Sequence, residues 1–193
     1  VTPDSERTMC TFLGIAGKIN EDDINADVIK KSKMIFLEGY LWDEGEPRKA
    51  FDKAIKNSNK VAMSLSDKFC VERHKPHFYD LVRNKLDITF ANEEEIKSLL
   101  NTENFDDVIN FGKQIKKLLI ITRGEKGAIS IKGDMITEVG VKKKLNIVDL
   151  TGAGDLFACG YLHGYLKNLS QNECLEKGTD MSSKIIQQIG ARL

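Results

Sequence analysis

The chain has 193 residues and carries 29 basic and 29 acidic side chains, so its formal net charge is zero. This balance lacks the positive charge by which proteins bind nucleic acids or anionic membrane surfaces, and it excludes both as expected partners. With 41% hydrophobic and 30% charged residues, the composition is typical of one compact globular domain.

The apolar runs at 34–37 and 117–121 fall far short of the ~20 residues that a membrane-spanning helix requires. The cysteines are far apart and form no C-x-x-C pair, and the first residues do not have the pattern of a signal peptide. We therefore expect reduced thiols and a cytoplasmic protein.

Hydrophobic periodicity predicts strands that alternate with helices through the first two thirds of the chain. The predicted elements are a strand at 8–14, a helix from Asp22 or Asp23, a strand at 34–37, a helix from Pro47 to about Asn57, a strand at 61–65, a helix from Pro76 to near Lys85, a strand at 87–91, helices at 93–100 and 105–116, and a strand at 118–122.

The pattern then changes to that of an antiparallel hairpin. Apolar segments at 127–131 and 135–139 are joined by Lys132-Gly133-Asp134. Two helices complete the chain, one from Gly152 to about Leu166 and one after a Ser170 cap, with a break expected near Gly178. Alternating strands and helices require crossover connections, which predicts an α/β fold. We expect a mostly parallel, doubly wound sheet with helices on both faces and the hairpin near one edge.

The segment from Asp149 to Asp155 is a small-residue loop that leads into an apolar helix. Gly152, Ala153 and Gly154 let the backbone approach a ligand, and free N–H groups at a helix start favour a negative charge such as a phosphate. Asp155 lies in the same first turn and can accept a proton from an attacking hydroxyl, which suggests phosphoryl transfer. The alternative is that Thr151 is an N-cap, the glycines form a turn, and Asp155 complements the helix dipole.

A second glycine turn follows the strand predicted at 118–122. It contains Thr122, Gly124 and Gly127, and open α/β sheets bind ligands at the carboxyl ends of their strands. The alternative is a turn that leads into the hairpin without binding a ligand.

Asn92 and Glu95 follow the short strand predicted at 87–91 and lie three residues apart on one helix face. Their oxygens suit the hydration shell of a divalent cation. They also match a capping box, which needs no metal. The basic run Lys142-Lys143-Lys144 is interpreted as a solvated loop.

Together and in this order, these three motifs resemble those of the ribokinase-like (PfkB-type) family of carbohydrate and nucleoside kinases. The segment at 182–186 and the one at 190–192 are similar to the family's last helix, and those at 38–41 and 64–67 are most similar to adenosine-kinase-like members.

The resemblance implies an ATP-dependent kinase that phosphorylates a hydroxymethyl group, with adenosine as the leading acceptor. It implies Asp155 as the catalytic base, Gly152, Ala153 and Gly154 as the anion hole, and Asn92 and Glu95 as holders of the waters around Mg²⁺. For the nucleotide it implies Thr122, Gly124 and Gly127 at the phosphates or ribose, and Gly178, Ser182 and Ile186 at the adenine. Asp149 and Thr151 would supply oxygens to the monovalent-cation site, such as one for K⁺, that some members carry.

The resemblance covers only the later part of the family's pattern. We therefore expect residues 1–193 to be the C-terminal part of a kinase domain, without the N-terminal strands and the lid that help to select the sugar. A ribokinase- or fructokinase-type sugar kinase and a nucleotide-binding relative without turnover remain the alternatives. The expected partner is a small nucleoside or sugar, and a homodimer is left open.

Overall fold

A computed structural model describes all residues from Val1 to Leu193. Its strands are β1 (Ile35–Glu38), β2 (Val61–Ser64), β3 (Ile88–Asn92), β4 (Leu118–Thr122), β5 (Ala128–Lys132) and β6 (Met135–Val139). Its α-helices are α1 (Ala26–Lys31), α2 (Glu46–Asn57), α3 (Lys68–Asp80), α4 (Glu93–Leu100), α5 (Phe105–Ile115), α6 (Ala153–Leu166) and α7 (Gln171–Ile185). None of these helices combines the length and the apolar character that crossing a membrane requires.

The strands form one six-stranded sheet in the order β1 to β6. β2 runs parallel to both of its neighbours, with Phe36 opposite Ala62 and Met63 opposite Thr89. A two-residue turn joins β5 to β6, so this hairpin is antiparallel. The α/β fold class and the mostly parallel sheet with a terminal hairpin are confirmed.

By their internal contacts, the residues group into two compact units. Unit 1 contains residues 1–11, 121–130 and 136–193, and unit 2 contains residues 12–120 and 131–135. The core of unit 2 includes β2, whose Val61, Ala62 and Met63 are at most 3% exposed. Burial on both faces explains why this strand is a continuous apolar run in the sequence.

In unit 1, α6 and α7 pack at very short range. A Cβ atom on Gly160 would lie 2.4 Å from the carbonyl oxygen of Lys177, and one on Gly178 would lie 2.9 Å from the Phe157 ring. The two glycines therefore allow the helix backbones to approach. α7 continues through Gly178 without interruption, so the expected break is wrong: the glycine serves packing and does not end the helix.

The strand expected at 8–14 does not form. Regular structure begins only with a 3₁₀ helix at Gly14–Lys18, and the Phe12 and Ile15 side chains are 95% and 88% exposed. Apolar alternation alone does not make a strand, because the backbone also needs a hydrogen-bonding neighbour.

Two helices begin at other residues than expected. α1 begins after Asn25, whose side chain accepts hydrogen bonds from the N–H groups of Asp27 and Val28, while Asp22 and Asp23 lie in a 3₁₀ turn.

α3 begins after the Asp67 cap, eight residues before Pro76. Pro76 lies inside this helix, where the backbone kinks at His74 (φ −118°, ψ 22°). A kink accommodates a proline that cannot donate a backbone hydrogen bond.

Candidate active site

The anion loop, defined as Asp149 to Asp155, leads into α6 in unit 1. Gly152 is the residue before the helix and has φ +78°, in the left-handed region. A Cβ atom there would lie 2.9 Å from the Cβ of Ala191. Both the backbone angle and the close contact require glycine at this position.

The first turn of α6 offers unused donors. The N–H groups of Gly152, Gly154 and Asp155 donate to no group of the chain. The Asp155 side chain and Gly154 are exposed to solvent. Such a helix start can bind an anion while it presents a carboxylate beside it.

Thr151 is not the N-cap of α6, so this part of the alternative is wrong. The cap position is Gly152, without a side-chain cap bond, and the Thr151 hydroxyl donates to Asp149 Oδ1 at 2.6 Å. The Asp149 carboxylate is 2% exposed and also accepts from the backbone N–H of Thr151 and that of Gly190. These hydrogen bonds, that of the Thr151 hydroxyl first, lower the pKa of Asp149 to about 2.

The glycine turn follows β4 and is closed by its own backbone. The N–H of Arg123 donates to the carbonyl of Gly127 at 2.8 Å, and that of Gly127 donates to Gly124 at 3.0 Å. Gly127 has φ +86°, and a Cβ atom there would lie 2.0 Å from the carbonyl oxygen of Val139. The turn thus packs directly against the end of β6. This geometry is compatible with a nucleotide turn and also with a turn that only leads into the hairpin.

A cavity of about 290 Å³ lies at the same end of β6. Its walls are the segment at 139–142 and one polar face of α7, formed by Glu176, Thr179 and Asp180. The Lys142 ammonium lies 2.5 Å from Asp180 Oδ1, so this lysine of the basic run has a partner.

The residues expected at the adenine do not line this cavity. Gly178 faces Phe157, and the carbonyl of Ile186 accepts hydrogen bonds from Val148 and Asp149. Ser182 is partly buried on α7, and its carbonyl accepts from the N–H of Ile186. The spacing of Glu176, Thr179 and Asp180 at i, i+3 and i+4 was the sequence signal for a shared face, and it was missed.

In unit 2, Asn92 and Glu95 form a complete capping box at the end of β3. The backbone N–H of Asn92 donates to Glu95 Oε2 at 3.0 Å, its side-chain amide donates to Oε1 at 2.7 Å, and the N–H of Glu95 donates to Asn92 Oδ1 at 2.8 Å. The capping alternative is therefore confirmed as a geometry. It does not compete with a metal role, because Asn92 remains exposed.

Glu95 is buried, with 5% of its surface exposed. Desolvation raises its pKa to about 7, against the hydrogen bond from Asn92, and the carboxylates of Asp67, Glu94 and Glu38 raise it further. Glu38 is held in place by the hydroxyl of Ser66, which donates to Oε2 at 3.0 Å.

A divalent cation near Glu95 would relieve the mutual repulsion of these carboxylates. No three acidic, histidine or cysteine side chains converge on one point, and Mg²⁺ commonly keeps several waters with only one or two protein carboxylates.

Residues 1–193 match the model of the pfkB family of carbohydrate kinases over their full length. The chain belongs to this family. Among solved structures, an adenosine kinase from Sinorhizobium meliloti superposes with a TM-score of 0.88 at 36% identity, over 92% of this chain and 56% of its own. A probable sugar kinase from Rhizobium etli gives 0.85 at 37% identity, over 91% of this chain and 55% of its own.

An uncharacterized sugar kinase from Archaeoglobus fulgidus is 28% identical over 100% of this chain and 76% of its own length. The chain thus spans little more than half of the two solved PfkB relatives and about three quarters of the archaeal one.

Proposed function

We propose that this chain is the C-terminal part of an ATP-dependent kinase that phosphorylates a hydroxymethyl group of a nucleoside, with adenosine as the leading acceptor. One observation carries the proposal: the unused N–H groups at the start of α6 lie beside the exposed carboxylate of Asp155 in the same turn. This arrangement pairs a binding site for phosphoryl oxygens with a group that can take a proton.

In this mechanism, Asp155 accepts the proton of the acceptor hydroxyl as its oxygen attacks the γ-phosphorus. The bond to the β,γ-bridging oxygen breaks, and ADP leaves. The N–H groups of Gly152, Gly154 and Asp155 donate to the equatorial oxygens, where charge accumulates in a loose transition state. Ala153 adds a small side chain that keeps the loop open to the phosphate.

Asn92 and Glu95 are the residues that we propose for the metal. When bound, Mg²⁺ neutralises phosphate charge. The exposed Asn92 amide can hold a metal-bound water, while buried Glu95 fixes the orientation of that amide through the bond between Asn92 Nδ2 and Glu95 Oε1.

For the nucleotide, we propose that Thr122, Gly124 and Gly127 border the phosphates or ribose and that the cavity next to them takes the base. The apolar segment at 139–141 provides one face for a flat ring, and Thr179 and Asp180 provide polar atoms for its edge. Gly178, Ser182 and Ile186 would then support the base site through α7 and the loop behind it rather than contact the base.

The sugar-kinase alternative rests on the relatives, since both the Rhizobium and the Archaeoglobus proteins carry that description. The adenosine reading rests on the S. meliloti enzyme, which has a similar identity and a higher TM-score. Action in the cytoplasm and a homodimer remain predictions.

The test is ADP release by the protein expressed from its complete reading frame, with ATP and Mg²⁺, across matched acceptors. Adenosine, cytidine, ribose and fructose should be compared with 5′-deoxyadenosine, which lacks the reactive hydroxyl. We expect turnover with adenosine and none with the deoxy analogue. Turnover with free sugars alone would favour the alternative, and no acceptor-dependent turnover would reject the kinase proposal.

A further inference from the structure

The Asp149 carboxylate links two parts of unit 1 that are far apart in sequence. Its Oδ1 accepts from the N–H of Thr151 at 2.9 Å and from the Thr151 hydroxyl at 2.6 Å, while its Oδ2 accepts from the N–H of Gly190, 41 residues away, at 2.9 Å. The side chain is buried, so water competes little for these bonds.

Further contacts join the anion loop to the segment at 186–191, here named the terminal segment. The carbonyl of Ile186 accepts from the N–H groups of Val148 at 2.8 Å and Asp149 at 3.3 Å. At the other end of the loop, Gly152 lies against Ala191. The terminal segment thus supports the loop at both ends, and Asp149 is the charged link between them.

The same carboxylate was expected to serve a monovalent cation, and its surroundings do not suit that role. Three protons converge on its two oxygens, and these protons carry partial positive charge at positions that a cation would occupy. The Thr151 hydroxyl directs its own proton to Asp149 as well. A carboxylate has about four acceptor positions, and three of them are taken. The residues present therefore leave this carboxylate at most one free acceptor position, which fits a cation site built on it poorly.

We propose that Asp149 is a positioning residue that fixes the anion loop to the terminal segment by hydrogen bonds, so that the loop keeps its shape without a monovalent cation. The inference rests on the proposed function, since the loop is there the binding site of the phosphoryl group. Asp149 touches no substrate and acts through Thr151. The carbonyl group of Thr151 forms the peptide bond that carries the donor N–H of Gly152.

The test compares Thr151→Val, which removes the hydroxyl at nearly constant shape, with Thr151→Ser, which keeps it. In the protein from the complete reading frame, we expect Thr151→Val to lower kcat by about 10- to 100-fold, because small misplacements of reacting groups have effects of this size. The KM for ATP should change little, since the proposed base site lies elsewhere, and Thr151→Ser should restore kcat. Thr2→Val removes a similar hydroxyl that donates to exposed Asp4, and it should leave both constants unchanged.

Cation dependence is measured on the same proteins in KCl and in choline chloride at equal ionic strength. We expect the same kcat and the same melting temperature in both salts. Specific stabilisation or activation by K⁺ would overturn the inference, as would full activity of Thr151→Val. If the parent protein transferred no phosphoryl group, the proposed function and the catalytic part of this inference would fail together. The melting temperatures of the Val and Ser variants would still decide whether the hydrogen-bonded link exists.

Discussion

At the scale of single residues, substitution of Asp155 tests the proposed mechanism most directly. Asp155→Asn keeps the size of the side chain and removes the proton acceptor. We expect ATP to bind almost unchanged while turnover falls by roughly 10²- to 10⁴-fold, the usual contribution of a general base. Steady-state kinetics and nucleotide titration on the protein from the complete reading frame measure the two effects separately.

The matched control is Asp134→Asn, which changes an exposed aspartate in the turn between β5 and β6. It should have no effect on turnover. A variant at Asp155 that kept more than about a tenth of the parent rate would contradict its assignment as the base.

The buried Glu95 predicts a pH dependence of stability. Its pKa is about 7 in the folded chain instead of 4.5, so between these values the folded state holds a proton that the unfolded state has released. Rising pH therefore destabilises the fold, by up to about 3 kcal/mol from this group between about pH 5 and about pH 8. Urea unfolding at a series of pH values should show this loss in the parent and not in Glu95→Gln.

Glu94→Gln is the control, because Glu94 is the exposed neighbour on the same helix turn. It should keep the slope of the parent. If Glu95 also organises the metal waters, Glu95→Gln should raise the Mg²⁺ concentration needed for half-maximal turnover. Identical Mg²⁺ titrations would leave Glu95 with a capping role only.

At the scale of elements, the contact between α6 and α7 depends on Gly160. In Gly160→Ala the new methyl group would meet the backbone carbonyl of Lys177, which cannot rotate away. We expect a loss of about 1–3 kcal/mol in the free energy of unfolding, as for other overpacked positions. In a helix without this close contact, alanine is more favourable than glycine by about 1 kcal/mol. A loss of unfolding free energy in Gly160→Ala would therefore show that packing dominates, and a gain would show that helix propensity dominates.

Gly140→Ala provides the comparison, since a Cβ atom there meets nothing within 4 Å. Denaturant midpoints of the two variants should differ clearly. A Gly160→Ala protein as stable as the parent would show that the helices can move apart at no cost.

The sequence predicted the elements that local pattern determines. β4 is buried along almost its whole length and reads as an apolar run, and α4 carries its own cap in Asn92 and Glu95. The strand at 8–14 was predicted wrongly, because alternation records polarity and contains no information about a pairing partner. The prediction of a helix start at Pro76 is also wrong, since the kink that accommodates this proline inside α3 is not visible in the residue types.

The same distinction applies to the candidate site. The anion loop, the glycine turn and the capping box were found because each lies within a few consecutive residues. The bond between Asp149 and Gly190 joins groups 41 residues apart, and the cavity wall combines the end of β6 with α7. Spacing along the chain does not encode such pairs, so they required the structure.

At the scale of the whole molecule, several apolar side chains of unit 2 face solvent. Phe12 and Ile15 are almost fully exposed, and β1 is an edge strand on which Phe36 is 38% exposed. Unpaired strand edges with apolar neighbours promote association. We expect the 193-residue chain expressed alone to associate, and to bind ATP weakly without phosphorylating an acceptor, as judged by light scattering and ADP release.

A longer natural form that covers these residues should be more stable and less prone to associate. Phe12→Ser in the 193-residue chain should reduce association without lowering the melting temperature, because this side chain packs against little. A monodisperse, cooperatively melting 193-residue chain with full kinase activity would contradict this view.

The position of the terminal segment also bears on the order of events during synthesis on the ribosome. The successive strands of the sheet are neighbours in space, so the sheet can grow as the chain emerges. The anion loop can be fixed only later, because Asp149 accepts a hydrogen bond from the N–H of Gly190, 41 residues further along the chain. A chain that stops before Gly190 would thus have most of its sheet, and its proposed phosphate site would lack this support. In this fold, the proposed site for phosphoryl transfer would be complete only after Gly190 has left the ribosome.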